Sequence, residues 1–212
     1  MTELLFIRHG ETDWNRQQRF QGQIDVPLNA HGRQQALRMA QRLADDRHDA
    51  LFSSDLQRAQ QTAAPLAAAW SLPVTTLAGF REQHFGLLEG LDLPTIQAQH
   101  PDLWQHWLQQ RGDYALPGGG ESLQQFHDRV LAAVQALLAL PAVKAAARIA
   151  IVTHGGVLDM LWRSAQCLPL HGLRNCEIPN TGLNRLRWRG GALVVEHWGD
   201  AAHLEDLPLP LA

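Results

Sequence analysis

The chain has 212 residues, 45% of them hydrophobic and 18% charged, with a formal net charge of −3. This is the composition of an ordinary soluble protein with enough length for one sizeable core; no apolar run can span a membrane, and no basic cluster suggests nucleic acid as a partner. Two cysteines, Cys167 and Cys176, are too few for a disulfide framework or zinc knuckle, which points to a reducing cytoplasm and leaves a single bridge open.

The first apolar run, Leu4-Leu5-Phe6-Ile7, is too short for a secretory signal and carries Glu3 before it and Arg8 behind. Its branched residues predict a strand buried on both faces of a parallel sheet. A polar loop from Gly10 to about His31 follows, with Pro27 and Gly32 as breakers. Ala36, Leu37, Met39, Ala40, Leu43 and Ala44 then repeat with helical spacing, predicting a helix over Arg33 to Ala44. Ala50 to Ser53 reads as a short strand. Asp55 stands where it could cap a helix through Arg58 to about Trp70, and Pro73 to Leu77 is extended.

The stretch from 80 to 120 is rich in Gly and Pro and reads as an inserted helical lid within a single domain of residues 1–212. Trp104, Trp107 and Leu108 share helical spacing there, a pattern of core or lid packing. Ser122 with Gln125 forms a capping box opening a helix from Leu123 to about Leu140. A second buried strand, Arg148 to Thr153, precedes a helix over Gly156 to about Ala165. Leu183 to Trp188 and Ala192 to Trp198 flank Arg189-Gly190-Gly191 as an antiparallel hairpin.

Both buried strands end in a polar residue followed by His-Gly: Arg8-His9-Gly10 and Thr153-His154-Gly155. Open α/β sheets bind ligands beyond such strand ends, so the two endings should converge on one crevice. A neutral imidazole is a competent nucleophile towards phosphorus, and an adjacent guanidinium disfavours its protonation while offering donors to phosphate oxygens. His9 is the expected nucleophile, with Arg8 and His154 beside it. Arg58 joins them from the first turn of a helix that leaves a strand end, a place that itself attracts phosphate. The leaving oxygen needs a proton; Glu82, beside the aromatic Phe85, is the expected acid, with Glu89 as its local competitor. Positive charge spread over these groups asks for no metal or other cofactor. The basic residues are nearly all Arg, Lys144 being the single Lys, which genomic base composition explains as readily as phosphate recognition does.

These residues, with Asn15, Phe20-Gln21-Gly22, Leu28-Asn29-Ala30-His31-Gly32, Ser53 to Ala59 and Thr153-His154-Gly155-Gly156, resemble the histidine phosphatase superfamily. The motifs follow the family's order through most of the chain, and Pro117 to Ser122 and His203-Leu204 are also similar. The resemblance implies a three-layer α/β fold of phosphoglycerate mutase type, its mostly parallel central sheet flanked by helices. It implies phosphorylation of His9, phosphoryl binding by Arg8, Arg58 and His154, and protonation by Glu82. Asn15, Gln21, Gly22 and Gly155 match positions near phosphate or substrate, and the Gly run before Ser122, which reads from its residues as a turn before a helix, is allowed an active-site rim role by the resemblance. The substrate class is a small phosphorylated metabolite, sugar or glycerate phosphates, aryl phosphates and α-ribazole phosphate among them; a homodimer is left open. The direct passage from Arg58 to Glu82 favours a phosphatase. His84 stands where mutases carry a histidine and keeps phosphoryl transfer open as the alternative, with a non-catalytic phosphoprotein-binding module as a third reading.

Overall fold

A computed structural model describes residues 2–109 and 112–208. In chain order the elements are β1 (Glu3–Arg8), α1 (Asp13–Arg16), α2 (Ala30–Arg42), β2 (Ala50–Ser53), α3 (Gln57–Trp70), β3 (Val74–Thr76), α4 (Leu93–Gln99), α5 (Pro101–Gln109), α6 (Leu123–Ala139), α7 (Pro141–Lys144), β4 (Arg148–Thr153), α8 (Gly155–Ala165), β5 (Leu183–Arg189) and β6 (Ala192–Asp200). Short 3₁₀ turns lie at Ala78–Phe80, Gly86–Leu88 and Ala202–Leu204.

The strands form one sheet in the order β3-β2-β4-β1-β5-β6, parallel from β3 to β1 and antiparallel beyond. Successive residues of a strand face opposite sides, and the central strands carry apolar side chains on both. Leu4, Phe6, Ile149 and Ile151 pack against α6 and α8 through Phe126, Val130, Val134, Leu158 and Leu161. Leu5, Ile7, Ala150 and Val152 face α2 and α3 through Met39, Leu43, Ala59, Ala63 and Leu66. Three layers result. No helix among the described residues is long and apolar enough to cross a membrane, and Cys167 and Cys176 are unbridged.

Most expected elements stand within a few residues of their predicted bounds, including the α6 capping box. Two start signals differ. Gly32 is no breaker: α2 starts at Ala30, the Asn29 side chain accepts the Gly32 N–H, and Gly32 lies inside the first turn. Its missing side chain has another purpose, since a Cβ there would stand 2.0 Å from the Glu11 carbonyl oxygen. Asp55 does not cap α3; Leu56 holds that position without a side-chain bond, and the Asp55 carboxylate takes Arg81 Nε at 2.8 Å and Nη2 at 2.6 Å. The polar loop also contains α1, closed by a Thr12–Asn15 capping box. Trp104 packs beside Leu88, Ile96 and Leu116, as expected; the side chains of Trp107 and Leu108 lie outside the described residues.

An ion cluster ties strand starts at the end of the sheet away from the two His-Gly endings. Glu3 takes Arg185 at 2.7 Å and Arg148 at 3.1 Å, Asp46 pairs with the same two arginines, and His48 Nε2 stands 3.8 Å from Glu3. Partial burial works against ionisation of Asp46, but its hydrogen bonds from Arg148 and Arg185 outweigh it and hold the carboxyl below its ordinary 3.8. A carboxyl with a depressed folded pKa stabilises fully above its unfolded value and loses that contribution as pH falls through the folded one. Asp46→Asn should therefore cost about 1 kcal/mol at neutral pH. In urea titrations the gap to wild type should stay constant down to about pH 5 and close below pH 3.8. A gap that widens on acidification would contradict the assignment.

Candidate active site

Arg8 pairs with Thr153 in the parallel register of β1 on β4. The next residue on each strand is therefore a histidine, and the His9 and His154 rings lie 5.2 Å apart. Backbone bonds hold the turn: His9 N–H donates to Thr153 O at 2.8 Å, Gly10 N–H to Thr62 Oγ1 at 2.9 Å, and the Asn180 amide to His9 O at 2.8 Å.

The hydrogen bonds assign both tautomers. His9 Nδ1 lies 2.7 Å from the Gly10 carbonyl, which only accepts, so Nδ1 carries the proton and Nε2 keeps its lone pair. Arg58 Nε donates to His154 Nδ1 at 3.2 Å, so the neutral His154 ring carries its proton on Nε2, a buried N–H without a partner among the described residues. Burial, then the charges of Arg58 and Arg8, press the His9 pKa well below 6.5, against the opposing Gly10 bond. His154 is lowered in the same direction by burial, Arg58, His9 and Arg8. Both rings are neutral at physiological pH.

Arg58, fully buried in the first turn of α3, also donates to Ile24 O at 2.8 Å and Gly22 O at 2.7 Å. Arg8 donates to Ile178 O at 2.6 Å, and its Nε has no partner among the described residues. Burial, the largest influence on each, lowers both guanidinium pKa values to about 10, so both remain charged at neutral pH.

A cavity of about 230 Å³ opens on these groups, with Arg8, His9, Asn15, Gln21, Gly22, Arg58, Glu82 and Phe85 in its wall. Glu82 takes the N–H groups of Gln83 and Gly156, each at 2.9 Å. Glu89, the competing acid, lines neither this cavity nor the larger one beside it; its Oε1 accepts from Gln23 N–H at 2.9 Å and Phe85 N–H at 3.0 Å. Asn15 reaches the cavity although its Oδ1 is committed to the Thr12 capping box. Gly22 has φ +51°, and a Cβ there would meet Glu89 Oε1 at 2.0 Å, so its place is that of a backbone acceptor for Arg58. Gly155 opens α8 beneath Arg8, where a Cβ would make an ordinary contact of 3.4 Å with Arg8 Nε. Among the described residues no group of His, Cys, Asp and Glu converges as metal ligands would.

The profile of the histidine phosphatase superfamily (branch 1) matches residues 4–201. The chain belongs to this superfamily. It is 38% identical over 208 residues to phosphoglycerate mutase-like protein 4 of Arabidopsis thaliana, covering 96% of this chain and 87% of that one. It is 34% identical over 210 residues to the metal-independent phosphoserine phosphatase of the same plant, with 98% and 85% covered. Its structure is similar to that of YhfR of Bacillus stearothermophilus, with a TM-score of 0.86, 32% identity and coverage of 97% and 100%.

Beside the His9–His154 pair lies a second cavity of about 300 Å³, which shares Arg8, Glu82 and Phe85 with the first. Sequence reasoning missed its other polar wall residues, among them Gln83, Glu121, Asp159 and Arg174. Helix α8 placed Asp159 one turn from Gly155, which was a usable signal; nothing local marked Arg174. His84 lines neither cavity, its Nδ1 lying 2.7 Å from Gly119 O. The Gly run lies behind the wall, with Gly118 and Gly119 at φ +77° and +81° forming a turn against Gly86 and Leu87.

The neutral pair is open to direct test. In the ligand-free protein, ¹⁵N-edited spectra of both rings should keep neutral tautomer patterns as pH falls through 6.5, with His9 protonated on Nδ1 and His154 on Nε2. A midpoint at or above 6.5 for either ring would overturn the electrostatic account.

Proposed function

We propose that His9 is the nucleophile of a phosphomonoester hydrolase that works through a phosphohistidine. The observation that carries this reading is the fixed His9 tautomer, which leaves the Nε2 lone pair in a cavity lined by two buried guanidinium groups and one carboxyl. Arg8, Arg58 and the unpartnered His154 Nε2–H hold the non-bridging oxygens of the entering phosphate. His9 Nε2 attacks phosphorus, the bond to the leaving oxygen breaks, and protonated Glu82 gives that oxygen its proton. In the second half, water attacks the phosphorus, the P–N bond breaks, Glu82 takes the water proton, and inorganic phosphate leaves. His9 and Glu82 return to their starting states.

The enzyme is a phosphatase of the histidine phosphatase superfamily acting on phosphorylated small molecules. His84, the residue that favoured a mutase, is tied to the Gly run away from both cavities. Phosphate-binding and proton-donating groups stand together, as catalysis needs and a simple phosphoprotein-binding surface does not. Residues 80–120 belong to the same single domain and serve as a lid, since Glu82, Gln83, Phe85, His106, Tyr114 and Leu116 wall the larger cavity. A count of two cysteines, too few for a disulfide framework, supports a cytoplasmic location. The reaction uses the groups of one chain, whether the protein works singly or as a homodimer.

Brief incubation with a good phosphoester and an alkaline quench should trap acid-labile phosphate on His9, and His9→Ala should lose both label and turnover. Label elsewhere, or turnover surviving in the variant, would reject the nucleophile. Activity should persist in EDTA; an enzyme inactive until a divalent ion is restored would reject charge neutralisation by Arg8, Arg58 and His154.

The Glu82 assignment rests on leaving-group chemistry. Glu82→Gln should slow single-turnover phosphorylation about a hundredfold or more with an alkyl phosphate, and far less with an activated aryl phosphate whose oxyanion departs unaided. Equal losses would remove Glu82 as the acid.

A further inference from the structure

The larger cavity offers about ten water volumes, at about 30 Å³ each, immediately beyond the proposed proton donor. A leaving group of two or three carbons would leave most of it to water. Phe85, Leu116, Phe126, Met160 and Leu170 give it apolar walls, so a large, mainly apolar leaving group gains by filling it.

Glu121 and Arg163 are committed, while Arg8 Nε and Asp159 Oδ1 have no hydrogen-bond partner among the described residues. Glu121 takes Arg129 through Nε at 2.6 Å and Nη2 at 2.8 Å. Asp159 Oδ2 takes Arg163 Nε at 3.0 Å, and the rest of that guanidinium donates to the carbonyls of Pro169 at 2.7 Å, His171 at 3.0 Å and Gly172 at 2.9 Å. These bonds fasten residues 169–172 to α8 and so set where Arg174 stands. Arg174 is different: among the described residues its ion contact is Nε at 3.6 Å from Asp159 Oδ1, too long for a hydrogen bond, and its side chain is 44% exposed. Arg174 also stands close enough to disfavour the charge on Arg8, second only to burial among the influences on that group. Two guanidinium groups thus face one connected space. Phosphate answers Arg8, and a second anion would answer Arg174.

The geometry points to a substrate whose leaving group is bulky, mostly apolar, and carries a second anionic group bound by Arg174. This rests on the phosphatase reading and adds a specificity residue to it.

The test compares two aryl phosphates of matched leaving-group basicity, one with a carboxymethyl arm and the other with the corresponding primary amide. Wild type should show kcat/KM about tenfold higher for the acid, as expected for a charge-assisted bond at a half-exposed site. In Arg174→Ala the ratio should fall towards one, and Arg174→Lys should keep part of it. Thermal midpoints of the variants check that the fold is retained. Equal turnover of the two esters by wild type, or a preference that survives in Arg174→Ala, overturns the inference while the phosphatase reading stands. If neither ester is hydrolysed and His9 takes no label, the phosphatase reading fails and this inference falls with it.

Discussion

The parallel register of β1 on β4 is the constraint on which the site depends. Pairing Arg8 with Thr153 makes His9 and His154 neighbours without any direct bond between their rings. Because side chains alternate along a strand, a slip of one residue would exchange the faces of Leu4, Phe6, Ile149 and Ile151 with those of their neighbours. Packing of both helical layers against this sheet therefore holds the catalytic geometry, and the site inherits the rigidity of the most buried strands in the chain.

Around that pair the protein keeps charge where water would ordinarily solvate it. Arg58 is wholly buried, yet its bonds go to two carbonyls and one imidazole nitrogen, with no carboxylate among them. Such a group is costly unless its donors are satisfied. Its positive field is left over for an incoming anion, and that field, with burial, keeps both imidazoles neutral. One arrangement thus prepares the proposed nucleophile and its proposed anion site.

The proposed chemistry and the proposed selectivity occupy adjoining spaces. The smaller cavity is built from strand ends and the α3 start, while the larger one takes its walls from the 80–120 segment, α6, α8 and the loop after α8. Among the described residues only Arg8, Glu82 and Phe85 belong to both. Glu82 is anchored through Gly156 to the α8 start, so the group at the boundary is held by the sheet-helix scaffold and not by the 80–120 segment alone.

By itself the sequence determined which strands are buried, the helix periods, the α6 capping box and the residues proposed for the phosphate site, because each depends on a short window of side chains. His9, Arg8, Arg58 and His154 were legible as strand-end and helix-start residues, and the structure brings them together. Short windows misplaced what depends on distant partners. Asp55 looked like a cap but pairs with Arg81, and Gly32 looked like a breaker because Glu11, whose carbonyl it must clear, lies 21 positions earlier. The local sequence put Glu82 ahead of Glu89 for its aromatic neighbour, but what holds Glu82 in the cavity wall and leaves Glu89 outside it is a distant contact, the bond from the α8 start. The same holds for Arg174, whose surroundings are assembled by bonds from Arg163 to three carbonyls of another segment. Periodicity and capping are energies of neighbouring residues, whereas a pocket wall is set by which remote groups the folded layers press together, and only tertiary structure decides that.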